Sequence, residues 1–181
     1  MHKDFQTPPD VCIYMKSLLN ELLIGTNNIV LEPTKGDGNL VNFAIIGNNR
    51  IKKHFAPDDY FKVNQYYLRG AIFDGIIANP PFSDKSAILD NATDEWKELK
   101  GMQVGYKFLE EFMQLTANIV IVMPMWTITD SDVRFRKIRD FGLVSVTPLP
   151  RKTFNYARVQ TMVLQMQHNY KGKTQFHTHL I

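Results

Sequence analysis

Residues 76 to 82 read IIANPPF, an apolar run that ends in an amide, two prolines and an aromatic ring. Proline fixes its own φ and pushes the residue before it out of the helical region, so Asn79-Pro80-Pro81 is a stiff tip at which a strand must stop. The tip carries oxygen acceptors, the Asn79 side-chain amide and a proline carbonyl, on a backbone that cannot easily relax. Phe82 sets a flat face beside them. Stiff acceptors next to a flat face would hold a planar group by its N–H donors; the alternative is an ordinary proline turn with Phe82 filling the core.

A second candidate lies upstream, in LEPTKGDGNL. Here a strand closes on Glu32, and Gly36 and Gly38 bracket a turn that hands the chain to a helix. Glycines at such a turn allow positive φ and close backbone approach, and the first N–H groups of the helix point into the space beyond. The spacing is Gly-x-Gly only, without the third glycine of a dinucleotide fingerprint or the Gly-Lys-Ser/Thr of a phosphate loop. Two glycines can also stand there for steric reasons alone. Glu32 shifts the balance, because a carboxylate at that point repels a phosphate and suits an ammonium or a ribose hydroxyl. A nucleoside with an amino-acid arm fits.

The elements that position these residues follow from periodicity. Val11, Met15, Leu18, Leu19, Leu22 and Leu23 recur at helical spacing in residues 10 to 23, with Asp10 placed to cap. Residues 28 to 33 read as a strand and 39 to 46 as a helix. Strands are expected at 73 to 79, 118 to 124, 143 to 149 and 159 to 167, and helices at 106 to 116 and 131 to 142. Alternating strands and helices predict a doubly wound, Rossmann-like α/β sheet, with ligands at the strands' C-terminal ends. Residues 48 to 70 hold two possible strands with only Pro57, Asp58 and Asp59 between them, so the region of the second and third strands is abbreviated.

Composition bounds the function. The chain has 181 residues, 44% hydrophobic and 22% charged, which suits a single domain over 1–181 with a proper core. No run is long and apolar enough for a membrane span, and the first ten residues lack the apolar core of a signal peptide, so a soluble cytoplasmic protein is expected. The lone Cys12 excludes an internal disulfide, and the five histidines, His177 and His179 among them, show no metal-ligand spacing; no metal is expected. A net charge of +3 permits a nucleic-acid partner. Basic residues cluster at Arg50 to Lys53, at Arg134 to Arg139 and at Arg151 and Lys152.

Taken in order, FQTPPDVCIYM, VLEPTKGDGNL and FDGIIANPPF resemble three motifs of the adenine-N6 DNA methyltransferases that use S-adenosylmethionine, in their gamma-type arrangement. PRKTFNYARVQTMVLQM is similar to that family's later segment, in which a phenylalanine before the last strands helps hold the target base. The similarity runs from Phe5 to about Gln167. It implies a class I methyltransferase sheet and S-adenosylmethionine as cofactor. Phe5, Thr7 and Pro8 would touch the cofactor's methionine end, Glu32, Pro33, Gly36 and Gly38 would cradle it, and Asp74 would start the catalytic strand and add to the cofactor site. Asn79, Pro80, Pro81 and Phe82 would carry the chemistry, with Phe154, Arg151 and Lys152 on the substrate side.

An exocyclic amine on an aromatic ring is a poor nucleophile, because its lone pair is delocalised. Two fixed acceptors on its N–H groups would turn that lone pair out of the ring plane. A base in a duplex cannot reach such a tip, so flipping or a single strand is required. The chain departs from the family at the acid that binds the ribose: RIKKHFA ends without one, Tyr66 stands where a further Asp is usual, and Asp58 or Asp59 either substitutes or caps a turn. Residues 83 to 105 either close over the substrate, with Trp96 as a contact, or lead into the next helix. No separate target-recognition domain is expected, so a partner chain could supply recognition of DNA. Size and resemblance suit a bacterial or phage-infected cell. Cytosine N4, adenine in RNA, a protein glutamine, and a non-catalytic binding subunit remain as alternatives.

Overall fold

The computed structural model describes residues 6–63, 68, 70–101, 103–154 and 159–178. Phe5, Tyr66 and His179 lie outside the described residues. The expected strands form as β1 (Asn28–Leu31), β2 (Ile51–Phe55), β3 (Gly75–Ala78), β4 (Asn118–Pro124), β5 (Leu143–Pro148) and β6 (Thr161–Gln167), with a short β7 (Gln175–Phe176). Their order across the sheet is β2-β1-β3-β4-β6-β5-β7. β6 runs antiparallel to β4 and β5, and the other pairings are parallel.

β3 is buried at every position and β4 at all but its first, which is why both read as unbroken apolar runs: a parallel strand is covered on both faces. Ile76, Ala78, Ile119, Ile121 and Met123 face a cluster built with Phe108, Leu109 and Phe112 of α2 (Gln103–Leu115) and Ile138 of α3 (Asp132–Gly142). Ile77, Val120 and Val122 face the opposite cluster, built on α1 (Pro9–Leu22). The fold is therefore three layers, with helices on both faces of one doubly wound sheet.

α1 begins with Pro9 in its first turn, where a missing N–H costs nothing. Asp10 is not the cap: Pro8 holds that position, and the Asp10 carboxylate accepts from the Val11 amide at 3.0 Å inside the first turn. The helix is also tied to the sheet by buried polar groups. Gln165 Nε2 donates to the Leu18 carbonyl (3.0 Å) and to Glu21 (2.9 Å), while its Oε1 accepts from Ser145 (2.8 Å). The Tyr14 hydroxyl meets Thr147 Oγ1 at 2.6 Å.

The abbreviated region is as short as expected. β2 is a sheet edge, and Tyr60–Lys62 forms a 3-10 turn instead of a strand, with the Asp59 side chain accepting from the Phe61 amide (2.9 Å). The helix expected over 39 to 46 is a π-helical segment at Val41–Ile45. Residues 83 to 101 hold a 3-10 turn at Ala87–Asn91 and one helical turn at Asp94–Lys97. Trp96 is buried, with ring centroids 4.6 Å from Phe108 and 4.9 Å from Phe61, so it is a core anchor and not a substrate contact. Among the described residues no helix is long and apolar enough to cross a membrane.

Gln165→Ala strands a buried serine hydroxyl and the Leu18 carbonyl. The expected loss is about 2–4 kcal/mol in urea unfolding; a change under ~0.5 kcal/mol would contradict the tie between α1 and β6.

Candidate active site

β1 has β2 on one side and β3 on the other. The connections that leave the C-terminal ends of β1 and β3 therefore diverge, and a crevice opens where the strand order reverses. Glu32 follows β1 and Asn79 follows β3, so both lie at this switch point.

Glu32 is completely buried. Its Oε1 accepts from the Thr34 amide (2.8 Å) and hydroxyl (3.2 Å), whereas its Oε2, equally shielded from solvent, has no donor. Burial pushes the carboxyl up to about 7, against the lowering pull of Thr34 and Lys35. The glycine loop follows directly. Gly36 and Gly38 have φ of +55° and +91°, which L-residues with a Cβ rarely adopt. A Cβ on Gly36 would meet the side-chain amide of Gln6, so the N-terminal segment lies against the loop.

That segment also reaches the Asn-Pro-Pro tip. Thr7 is buried, its hydroxyl accepts from Asn79 Nδ2 (3.1 Å), and its carbonyl accepts from Asn39 Nδ2 (2.9 Å), just past the glycine loop. With the amide nitrogen of Asn79 on Thr7, the Oδ1 end is the one with lone pairs to offer a donor. Pro8 caps α1, and Pro33 is buried beside Glu32. Cys12 lies beneath with its Sγ 3.5 Å from the Thr7 carbonyl, and burial pushes its thiol up to about 12, leaving it inert.

The structure thus brings together Thr7, Pro8, Glu32, Pro33, Gly36, Gly38 and Asn79. Asp58 borders the group: it is 91% exposed and paired with Lys35 of the glycine loop at 2.5 Å, which holds its carboxyl below the usual range. Asp59 is the turn cap. Asp74 does start the β3 segment, but at the far end of the sheet. Its Oδ2 accepts from the Ile29 amide (2.7 Å) and its carbonyl from Asn118 Nδ2 (2.8 Å), so it clamps three strands and is no cofactor ligand.

Pro80 is buried and Pro81 half-buried. Phe82 is half-buried and packs against both core clusters. A Cβ on Gly105 of α2 would lie 3.1 Å from its ring, so the helix braces the tip closely and a larger residue there would press on Phe82. Phe154 is buried in the α1-side core, where its face is covered by protein, which corrects its expected place against a base; Arg151 and Lys152 are exposed beside it. Sequence reasoning missed Gln6 and Asn39, which join the N-terminal segment to the loop. The signal for Asn39 was its place directly after the second glycine.

An unpaired buried acceptor beside a loop with two glycines at positive φ fits a nucleoside with a cationic arm. Glu32, Thr7 and the two glycines are the residues that would hold it.

No protein-family profile matches the sequence, and no curated protein does. Solved structures do match. A candidate class I S-adenosylmethionine-dependent methyltransferase of Listeria monocytogenes aligns with TM-score 0.66 at 15% identity over 99% of this chain and 66% of its own. The fold is that of the class I methyltransferases. The methyltransferase subunit of a type I restriction-modification system from Streptococcus thermophilus gives 0.61 at 16% identity over 96% of this chain and 47% of its own. The M protein of the type I enzyme EcoKI gives 0.66 at 13%, over 91% and 44%. The chain thus spans less than half the length of these two subunits.

The Glu32 shift has a sign. Its folded value, about 7, exceeds the ordinary 4.5, so its contribution to stability is full below pH 4.5 and is lost as pH rises to about 7. Denaturant unfolding of Glu32→Gln is expected to lack this decline, with the variant gaining up to about 3 kcal/mol on the parent between pH 4.5 and 8. Parallel pH profiles would show that Glu32 is not buried as described.

Proposed function

We propose that this protein transfers a methyl group from S-adenosylmethionine to a conjugated exocyclic amine of a nucleic-acid base, with adenine N6 in DNA as the substrate. The observation that carries the reading is Thr7, which bonds Asn79 by its hydroxyl and Asn39 by its carbonyl, tying the glycine-loop cradle and the Asn-Pro-Pro tip into one crevice. The fold shared with class I methyltransferases supports it, as do the motif resemblances at Thr7, Glu32 and Asn79.

The bound cofactor supplies an electrophilic sulfonium methyl. The chain's own residues act on the amine. Asn79 Oδ1 and the Pro80 carbonyl each accept one N–H, which draws the nitrogen towards tetrahedral geometry and points its lone pair out of the ring. The prolines keep both acceptors in place as positive charge develops on nitrogen, so little reorganisation is needed. One proton then leaves the alkylated nitrogen for solvent. Phe82, half-buried and braced by Gly105, is the ring on which a base would stack, worth about 1–3 kcal/mol. Thr7 is a positioning residue: it sets which end of the Asn79 amide meets the substrate.

Recognition of a target sequence is assigned to a partner chain. Neighbours named as subunits of type I restriction-modification systems support that arrangement.

Asn79→Ala is expected to lower methyl transfer at least 100-fold while S-adenosylmethionine affinity stays within several-fold of the parent. Tritiated methyl transfer to duplex DNA, single-stranded DNA, RNA and protein in parallel, with calorimetry for the cofactor, makes the measurement. Transfer at the parent rate by the variant would remove Asn79 from the chemistry, and label on RNA or protein alone would reassign the substrate.

A further inference from the structure

Three side chains that the mechanism above does not use lie on the elements that adjoin the Asn79 tip, α2 and the C-terminal end of β4, and on α3. Tyr106 follows Gly105, the glycine that lies against Phe82 and the Pro81 carbonyl. Trp126 comes two residues after the C-terminal end of β4, the strand that pairs with β3. Arg134, in the first turn of α3, reaches both rings: its guanidinium carbon is 5.1 Å from the Trp126 ring centroid and 5.7 Å from that of Tyr106.

The polar atoms of this group are shielded, and two are unmatched. Among the described residues Arg134 Nε and Trp126 Nε1 are buried without a hydrogen-bond partner, while the shielded Tyr106 hydroxyl interacts with the Glu110 carboxylate. Among the described residues Arg134 makes no ion pair, although other charges of α3 do: Lys137 holds Glu110 at 2.8 Å and Arg139 meets Asp140 at 3.2 Å. Burial, with Glu110 one turn further along the helix, pushes the Tyr106 phenol up to about 12, so the hydroxyl stays neutral.

A guanidinium flanked by aromatic faces gains from the ring quadrupoles, but a partly desolvated cation without a counter-ion is unfavourable. With rings beside its plane, what it can offer a ligand is its edge, a fork of N–H donors whose geometry matches a phosphate. The two unmatched atoms, Arg134 Nε and Trp126 Nε1, are both donors and one belongs to a cation, so the missing partner is an anion. A base stacked at Phe82 belongs to a strand whose phosphates must pass close to the same rim.

We propose that Arg134, held by Trp126 and Tyr106, anchors a phosphodiester of the nucleic-acid strand that presents its base to Asn79. This rests on the base-methylation reading and adds the residue that seats the strand.

The test is fluorescence anisotropy with labelled single-stranded and duplex DNA over a salt series, for the parent, Arg134→Gln and Arg134→Lys, with S-adenosylmethionine calorimetry on each. Arg134→Gln is expected to make the log–log salt slope shallower by about 0.7 on single strands or about 0.9 on duplex, and to weaken binding about tenfold at moderate salt, whatever the sequence. Cofactor binding stays at the parent level. Arg134→Lys keeps the slope but not the full affinity, since an ammonium lacks the stacked fork. An unchanged slope in Arg134→Gln, or parental affinity in Arg134→Lys, overturns the anchor and leaves the methylation reading standing. A parent that binds cofactor but neither DNA overturns the nucleic-acid reading itself, a separate outcome.

Discussion

The parallel pairing of β1 with β3 is the constraint on which the rest of the structure depends. Val30 stands opposite Gly75 and Leu31 opposite Ile76, so Glu32 and the Asn79 tip must emerge at the same end of the sheet. The pairing holds because both strands are sealed between helices, and Gly75 contributes to the seal. A Cβ there would lie 3.0 Å from Leu19 and 3.3 Å from Leu23, so its absence lets α1 settle directly on β3. Once α1 is seated, the residues before it have only a short path, and Thr7 arrives against Asn79.

The crevice is stabilised unevenly, and the imbalance has chemical meaning. Asp74, Asn118 and Gln167 form a satisfied polar chain at one end of the strands, where donors and acceptors match. At the other end, Glu32 is buried with one oxygen satisfied and one not. A buried carboxylate oxygen without a donor costs stability, and an apolar residue of similar size would avoid that cost. Sites that bind ligands commonly keep such groups, because the ligand's own donor offsets the deficit when it arrives. The stiff prolines at Asn79 follow the same logic, trading adaptability for fixed acceptors.

Much of this was legible in the sequence, for reasons tied to particular residues. The runs at 75–78 and 118–124 are strands because burial on both faces demands apolar residues at every position, and proline stops the first of them. α1 and α2 were legible from their spacing. Loop aromatics were not, because whether a ring is covered depends on elements distant in sequence. Trp96 and Phe154 look like contacts until Phe108 on one face and α1 on the other are seen to bury them. Asp74 misled because the motif fixes its position along the strand but not the end of the sheet to which it belongs. Arg134 was visible only as one of a run of basic residues. Its separation from them needs the two rings, twenty-eight residues before it and eight residues before it.

The central claim is that the crevice between Glu32 and Asn79 takes S-adenosylmethionine on an ionised Glu32. The direct measurement is calorimetric titration of the cofactor in buffers of different ionisation enthalpy, which counts protons released on binding. With the carboxyl at about 7 before binding, the account predicts saturable binding that releases about 0.9 proton at pH 6 and about 0.2 at pH 7.5. No saturable binding, or the same proton release at both pH values, would contradict it.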